Sequence, residues 1–380
     1  MSEIKELYIE PTSNCNLACV MCSRNYWKNE ATGHMDLKLF DKLIDEIPCS
    51  VSRIFFGGVG EPLCHPDIVY MLKRAKQTGR VVEIITNGTL LTGGMSEKIV
   101  DAKIDVLWIS IDSMETKSYE NIRVGACFSS VMDNIRNFNL KRAGQHEYVP
   151  LYSKNIVKLG AVFVLMKGNQ DHFGNFLKQT RKFGISYVKA THLIPYNESQ
   201  LDQVCYERVL SGGMYRGTKT NSVHVDIPFM DTLGVHGLLP SISNPALSFS
   251  VMGAQFWIKE NHCRFVEEGI SFVRWDGEVC PCMALLHENM VYLRGIRRTI
   301  GRSMRSCSFG NANEHTLSEI WQNAEYTEFR KHVTDSDFPP CARCSPDLCH
   351  LIESNEKDCL GNKFPTCGAC LWAQGLVQCP

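Results

Sequence analysis

Three cysteines near the N-terminus, Cys15, Cys19 and Cys22, form a C-x3-C-x2-C run. Three thiolates on one short loop can hold three irons of a cubane cluster and leave the fourth iron open to another ligand. A structural zinc site or a closed ferredoxin-type cluster needs four protein ligands and would have to borrow a distant cysteine. The local spacing alone is compatible with either kind of site.

A second set of cysteines lies in the C-terminal part of the chain. Cys263, Gly277 and Cys282 follow a C-x13-G-x4-C spacing. The set continues with Cys341, Cys344, Cys349, Cys359, Cys367, Cys370 and Cys379. C-x2-C pairs suit zinc and iron–sulfur clusters equally well. This spacing is too regular to be incidental, and it indicates metal ligation.

The composition is ordinary except for its 18 cysteines in 380 residues. The 40 Lys and Arg balance 41 Asp and Glu, so charge gives no reason to expect a nucleic acid or a membrane as partner. The N-terminus lacks the basic and apolar regions of a signal peptide, and no apolar run is long enough to span a bilayer. We therefore expect a cytoplasmic protein, whose reduced thiols serve metal ligation or redox chemistry rather than disulfides.

Alternating strand and helix patterns must position the first cysteines. Strands are predicted at 7–9, 54–56, 81–86, 106–111, 156–166 and 186–190, and helices at 37–47, 67–79, 95–102, 129–143 and 171–183. Such βα repeats with right-handed crossovers predict an α/β fold, a partial (β/α)6 TIM-like barrel. Chemistry in that architecture takes place at the carboxyl ends of the strands, where the cysteine triplet lies.

Three predicted regions divide the chain. Residues 1–196 hold the barrel pattern, and residues 197–262 are rich in Gly, Ser and Asn, which predicts a connector with poorly defined elements. Residues 263–380 combine a short strand pattern at 270–275, one helix over 317–332 and cysteine-bearing loops. They predict a small cysteine-rich α+β domain.

A glycine-rich turn, GGVGEP, follows the second predicted strand. Together with the cysteine triplet, it resembles the radical S-adenosylmethionine (SAM) superfamily. The resemblance implies a 4Fe–4S cluster on the three cysteines, with SAM bound to its open iron through the amino and carboxylate groups. Reductive cleavage of SAM then gives a 5′-deoxyadenosyl radical that abstracts hydrogen from a substrate. The implied cofactor-binding residues of the turn are Gly57, Gly58, Gly60 and Glu61. Glycines let the backbone approach a ligand, and Glu61 offers an acceptor for an ammonium group.

Other strand ends carry residues that the family places against SAM. Asn87 follows the third strand, and Ser110 and Asp112 end the fourth. Met21 corresponds to the position where the family puts an apolar side chain against adenine. Each residue also has a simpler interpretation, because the polar residues could cap strands and Met21 could belong to the core.

The C-terminal cysteines resemble the SPASM extension of radical SAM proteins, which carries one or two auxiliary 4Fe–4S clusters. Nine cysteines are available for the eight ligand positions of two complete clusters, so one is spare, one cluster has an open iron, or one site is not used. A double zinc ribbon is the alternative. The segments RWDGEVCPC from residue 274 and FPTCGACLWAQG from residue 364 resemble tungsten-cofactor oxidoreductase maturases. The pattern departs from that subfamily between Cys344 and Cys349, where a tighter C-x2-C spacing is expected.

The resemblance predicts a radical SAM enzyme of the oxidoreductase or maturase type, in which auxiliary clusters transfer electrons or bind substrate. Its partners would be a small-molecule, peptide or protein substrate and an electron donor such as ferredoxin or flavodoxin. Cofactor or protein maturation is one interpretation, and modification of a ribosomal peptide, sugar or nucleoside is the other. The first strand begins close to Met1, so we expect no N-terminal peptide-recognition domain. A third alternative, a non-catalytic iron–sulfur carrier or zinc module, would have no use for the glycine-rich turn.

Overall fold

The computed structural model describes residues 3–144, 156–206, 223–227, 247–251, 263–294, 299–335, 350–373 and 375–378, with the backbone alone for 223–227, 247–251 and 294. Four of the predicted metal ligands, Cys341, Cys344, Cys349 and Cys379, lie outside these residues.

A mostly parallel sheet organises the structure. Its strands are β1 (Glu6–Ile9), β2 (Arg53–Phe56), β3 (Val81–Thr86), β4 (Val106–Ser110), β5 (Lys158–Leu165), β6 (Ile185–His192), β7 (Val223–Ile227), β8 (Leu247–Val251), β9 (Ile270–Val273) and β10 (Val279–Cys280). The spatial order is β10-β9-β1-β2-β3-β4-β5-β6-β7-β8, and only β9 and β10 pair antiparallel. A separate antiparallel pair consists of β11 (Asn289–Arg294) and β12 (Thr299–Met304).

Helices alternate with the first six strands. They are α1 (Leu37–Asp45), α2 (Ile68–Lys76), α3 (Gly93–Asp101), α4 (Thr116–Ile122), α5 (Phe128–Ala143) and α6 (Gln170–Gln179), followed in the C-terminal part by α7 (Arg264–Glu267), α8 (Leu317–Gln322), α9 (Ala324–Thr334) and α10 (Leu351–Ser354). α1 begins as predicted, because the Asp36 carboxylate accepts the backbone N–H of Lys38 at 2.7 Å and caps the helix. The predicted partial (β/α)6 barrel is confirmed by this alternation and by the parallel pairing of β1 to β6.

Both faces of the sheet are buried, as expected for parallel strands. Leu7 and Ile9 of β1 pack with the helices in the main apolar core. Tyr8, between them, points to the opposite face and packs with Phe55 and Phe272 in a second apolar cluster. Because side chains alternate between the two faces of the sheet along each strand, they pack in two separate apolar clusters.

The sheet contains additional strands beyond both edges of the six predicted ones. β7 and β8 lie within residues 197–262, where we expected poorly defined elements, so that expectation was wrong for these two segments. Each of the two strands has only five residues, and the sequence around them shows no periodicity, so the pattern did not predict them. At the other edge β9, from the C-terminal region, pairs parallel with β1 from Glu6↔Ile270 to Ile9↔Val273.

The single helix predicted over 317–332 was also wrong, since the chain forms α8 and α9 with a break at Asn323. The Asn323 side chain accepts the backbone N–H of Tyr326 at 2.7 Å and donates to the Phe309 carbonyl at 2.6 Å. Asparagine favours such capping positions over helix interiors because its side chain competes for backbone hydrogen bonds. The helical apolar periodicity continues across this cap, which concealed the break.

The helices in the described part of the chain are all too short or too polar to cross a membrane.

Candidate active site

The cysteine triplet lies on the loop that leaves the carboxyl end of β1. Two backbone hydrogen bonds attach this loop to the residues around the end of α4: Ala18 N–H donates to Val124 O at 3.0 Å, and Val20 N–H donates to Ile122 O at 2.9 Å. All three cysteine residues are partly exposed. Their thiols lie near enough for their charges to influence one another.

The environment of the three thiols disfavours their free thiolate forms. Burial raises the pKa of all three, and that of Cys19 to about 11. The guanidinium of Arg24 lowers the pKa of Cys15 and Cys22, although by less than burial raises it. At neutral pH the unligated thiols are therefore protonated, and a bound cation would be needed to stabilise them as thiolates.

Arg123 is a site residue that the sequence motifs did not identify. Its Nη1 lies 4.0 Å from Cys19 Sγ, and its Nη2 forms a 2.7 Å ion pair with Asp112. Asp112 is fully buried and also accepts the backbone N–H of Val164 at 2.7 Å. The sequence predicts Asp112 as a SAM contact, and in the structure its carboxylate also pairs with Arg123, which lies beside Cys19. Arg123 follows α4, outside any motif, so only the fold reveals it.

The glycine-rich turn packs directly on the cysteine loop. A Cβ atom on Gly60 would lie 2.1 Å from the carbonyl oxygen of Thr12, so no larger residue fits there. Gly58 has a φ of 122°, in the region that favours glycine. Gly57 has a different constraint, because its Cβ would lie 2.6 Å from the Phe55 ring. The turn can thus approach the cysteines closely only with these glycines.

Glu61 is buried at the end of this turn. Its carboxylate accepts hydrogen bonds from Thr86 Oγ1 at 2.7 Å, from the Asn87 N–H at 2.6 Å and from the Leu63 N–H at 3.0 Å. Burial raises its pKa against the opposing effect of these donors. A carboxylate has about four acceptor positions, so three donors leave room for one more. Glu61 therefore ties the turn to the end of β3 and retains one free acceptor position.

The remaining predicted residues occupy different surroundings. Asn87 Nδ2 lies 3.9 Å from Cys15 Sγ and donates to Asn16 Oδ1 at 3.0 Å. Ser110 is half-buried as the last residue of β4. Met21 packs against an apolar group that includes Ile122. Asn87 is thus next to the triplet, and Met21 is partly buried against an apolar cluster on the cysteine loop's flank.

A second group of cysteines converges in the C-terminal part. Cys263, Cys282, Cys367 and Cys370 belong to or pack on one apolar cluster, and their charges interact with one another. Burial raises the pKa of all four, that of Cys263 to about 12. Among the described residues no three or more cysteine, histidine or acidic side chains are placed so as to hold a metal ion, so it is the chemistry of these four thiols, not their spacing, that suits an iron–sulfur cluster or zinc.

Two further cysteines, Cys280 and Cys307, lie in or against the same apolar cluster, and a third, Cys359, is exposed. Cys280 is fully buried in β10, and Cys307 lies near both Cys280 and Cys367. Neither had a predicted role. Cys359, a predicted ligand, is exposed, and its described contacts do not bring it to the four-thiol group.

The donor set fits the implied iron–sulfur cluster and SAM. Thiolates are the protein ligands of iron–sulfur clusters, and three of them leave an iron for an external ligand. Among the described residues, the buried Nε atoms of Arg24 and Arg123 lack a hydrogen-bond partner, and both guanidinium groups adjoin the thiols. Buried donors of this kind are expected beside an anionic group.

Comparison with known proteins agrees with this geometry. Residues 9–151 match the radical SAM superfamily, and residues 263–345 match the SPASM iron–sulfur cluster-binding domain. The chain is therefore a radical SAM superfamily enzyme that carries a C-terminal SPASM domain, and it uses SAM and iron–sulfur clusters as cofactors.

One relative matches along nearly its whole length. The chain is 28% identical over 386 residues to a tungsten-containing aldehyde ferredoxin oxidoreductase cofactor-modifying protein of Pyrococcus furiosus, covering 99% of this chain and 97% of the relative. It is 24% identical over 351 residues to an AdoMet-dependent heme synthase of Oleidesulfovibrio alaskensis, covering 88% of this chain and 78% of the relative.

Solved structures share the fold at low sequence identity. SuiB of Streptococcus suis bound to S-adenosylmethionine is 16% identical, with a TM-score of 0.59 over 93% of this chain and 72% of SuiB. The enzyme anSMEcpe with bound AdoMet is 14% identical, with a TM-score of 0.57 over 92% of this chain and 87% of the other.

Proposed function

We propose that Cys15, Cys19 and Cys22 hold the SAM-binding 4Fe–4S cluster of this enzyme. The observation that carries this assignment is the meeting of three thiols, the Glu61 carboxylate and the Arg123 guanidinium at the carboxyl ends of the strands. When bound, the cluster and SAM supply one-electron chemistry that yields a 5′-deoxyadenosyl radical for hydrogen abstraction.

The role of the chain's own residues would be to bind and orient SAM. Glu61 would accept a hydrogen bond from the ammonium group of SAM at its free acceptor position. Asn87 and Arg123 offer donors beside Cys15 and Cys19 that would neutralise a carboxylate group of SAM. Gly57, Gly58 and Gly60 would let the turn approach the cofactor, Ser110 would contribute a polar group at the end of β4, and Met21 would place an apolar side chain against adenine.

We assign Cys263, Cys282, Cys367 and Cys370 to one auxiliary 4Fe–4S cluster, on the strength of their convergence. The other predicted ligands, Cys341, Cys344, Cys349, Cys359 and Cys379, are sufficient for a second cluster. The corresponding domain boundaries are a barrel over 1–196, a connector over 197–262 and a cluster domain over 263–380. The matches at residues 9–151 and 263–345 fall inside the proposed barrel and cluster domain and support this division.

The substrate class we propose is a cofactor or a cofactor precursor. The end-to-end similarity to a cofactor-modifying protein supports it, as does the heme synthase relative. Ferredoxin or flavodoxin is the proposed electron donor, and the cytoplasm the proposed location.

Anaerobic reconstitution tests the assignment of the triplet. The reduced wild-type protein should convert SAM to 5′-deoxyadenosine, measured by chromatography, whereas a Cys15→Ala, Cys19→Ala, Cys22→Ala variant should not. Equal amounts of product from both proteins would rule out the assignment. A matched control replaces Cys49 and Cys127, which are exposed, with alanine and should retain activity.

A further inference from the structure

A buried histidine lies between two carboxylates from distant parts of the chain. His287 Nε2 is 2.9 Å and 3.1 Å from the two carboxylate oxygens of Glu10, and its Nδ1 is 3.3 Å from Glu30. The side chains of His287 and Glu10 are each only 1% exposed. A buried charged group destabilises the fold unless an opposite charge or a hydrogen bond compensates it. Removing any one of these three side chains would therefore leave the others without full compensation.

Glu10 connects this histidine to the glycine-rich turn. It directly follows β1, and its carboxylate also accepts the backbone N–H of Val59 at 2.9 Å. A Cβ on Gly58 would lie 2.6 Å from Glu10 Cγ, so side chain and turn are in direct contact. The position of the Glu10 carboxylate therefore determines the position of the turn that leads to Glu61.

Trp27 and Glu30 connect the same histidine to the cysteine loop. The indole ring of Trp27 lies over the His287 ring, with centroids 4.6 Å apart, and its Nε1 donates to Asn289 Oδ1 at 3.0 Å. Both residues follow Cys22 in the chain. His287 itself lies in the SPASM region, shortly after Cys282, so its imidazole joins that region to two other segments of the chain.

The surroundings of this imidazole favour its charged form. Burial alone lowers the pKa of His287, but hydrogen bonds and charges from Glu10 and Glu30 outweigh it and raise the pKa. Further out, Arg274 interacts with Glu30 and forms an ion pair with Asp276. With both ring nitrogens protonated, His287 can donate to both carboxylates at once.

We propose that His287 is a positioning residue for the SAM site, which uses Glu10 and Glu30 to hold the glycine-rich turn and the cysteine loop against the SPASM domain. The inference rests on the proposed role of those two loops in binding SAM. It assigns to the SPASM domain a task separate from cluster binding. SAM affinity then depends on an imidazole that belongs to the other domain.

Replacement of the histidine tests the proposal. His287→Ala should raise the dissociation constant of SAM by roughly tenfold or more, as loss of a residue supporting the ligands typically does, while iron content stays unchanged. Calorimetric titration measures the affinity. His315→Gln, an exposed histidine of the same domain, is the matched control and should bind SAM like the wild type. Unchanged affinity in His287→Ala would overturn the proposal.

Two milder variants keep the test decisive if His287→Ala does not fold. His287→Gln retains one donor, and Glu30→Gln removes only the outer carboxylate. Each should weaken SAM binding less than alanine does, and the double variant should show less than the product of the two single effects because the residues act together. Wild-type affinity in both single variants would contradict the positioning role.

Hydrogen exchange gives a measurement that does not depend on SAM. The Val59 amide and residues 27–30 should exchange faster in His287→Gln than in the wild type, while α5 should be unaffected. If the wild type fails to bind SAM, the proposed function fails, yet this exchange difference still tests the contact. Equal exchange in the two proteins would show that His287 positions neither loop.

The pH dependence of SAM binding provides a further readout. Because the pKa of His287 is raised above the ordinary value of about 6.5, its stabilising charge is present below that value and is lost as pH rises through the raised pKa. Wild-type affinity should fall in that higher range, and His287→Gln should lack this component. The same pH profile in both proteins would exclude the charged histidine as its cause.

Discussion

Asp112 and Arg123 form an ion pair that is almost completely removed from water. Their side chains are 0% and 7% exposed, and Arg123 also lies beside Cys19. Removing one partner of a buried pair leaves the other charge uncompensated. Asp112 thus contributes to the site indirectly, by fixing a cation that faces the cysteine loop.

Asp112→Asn should therefore lower both stability and SAM affinity. Breaking a buried pair typically costs about 3–5 kcal/mol in the free energy of unfolding. Urea unfolding of the cluster-free chain measures this loss, and SAM titration of the reconstituted protein measures the effect on the site. Asp133→Asn, which breaks the exposed pair with Arg136, is the control and should have little effect on either quantity. Equal stability of the two variants would contradict this account.

Sequence motifs predict candidate site residues that directly follow strands, and they give no sign of residues that reach the site through tertiary contacts. Cys15, Glu61 and Asn87 could be predicted because each lies in a recognisable pattern at a strand end. Arg123 and His287 could not, because each becomes a neighbour of the site only when separate segments fold together. A single arginine or histidine between motifs carries no signal of its partner in the sequence.

At the scale of elements, β9 links the SPASM region to the barrel. It covers the edge of β1, and the backbone N–H of Glu10 continues this ladder by donating to Val273 O at 2.9 Å. Phe272 of this strand is 2% exposed and lies between Tyr8 and Phe265, with ring centroids 4.6 Å and 5.3 Å away. The two regions thus share one apolar core.

Phe272→Ala should destabilise the whole chain rather than the SPASM region alone. Truncation of a buried phenylalanine costs about 3–5 kcal/mol, through lost burial and the cavity that remains. Urea unfolding followed by circular dichroism should show the transition of barrel and C-terminal region moving together. The control Leu360→Ala removes an apolar side chain that is 60% exposed and should unfold like the wild type. A Phe272 variant with an unaltered barrel transition would show that the two regions are independent.

The elements also show where prediction from sequence succeeds. β1 to β6 are dense runs of apolar residues between turns, and their predicted bounds agree with the structure to within a few residues. β9 was predicted as a strand, but its pairing with β1 was not, because pairing across most of the chain leaves no local pattern. The cap at Asn323 shows the converse case, in which one polar residue interrupts an otherwise continuous helical periodicity.

At the scale of the whole molecule, the predicted cysteine ligands form two groups, one in the N-terminal and one in the C-terminal part of the sequence. The N-terminal group has three thiols, and the C-terminal group has four that converge. Cys280 and Cys282 are separated by one residue and pack in the same apolar cluster, but the charges of Cys263, Cys367 and Cys370 act on Cys282, whereas the charge of Cys307 acts on Cys280.

The iron content of two variants tests the different roles assigned to Cys280 and Cys282. Cys282→Ala should lose about four irons per chain relative to the wild type, the content of one cubane cluster, whereas Cys280→Ala should retain them. Colorimetric iron and sulfide determination after anaerobic reconstitution measures both. Wild-type protein should contain about eight irons with one auxiliary cluster and about twelve with two. Equal iron loss in the two variants would contradict the assignment of Cys282.

The ladder between β1 and β9 also has a consequence for biosynthesis. β1 pairs with β9 from residue 6 to residue 270, so during synthesis this edge of β1 has no partner until β9 has emerged. Contacts between such distant residues form slowly, and unpaired strand edges promote aggregation of incomplete chains. The strand that leads into the cysteine loop therefore keeps an open edge until the residues of β9 have been synthesised.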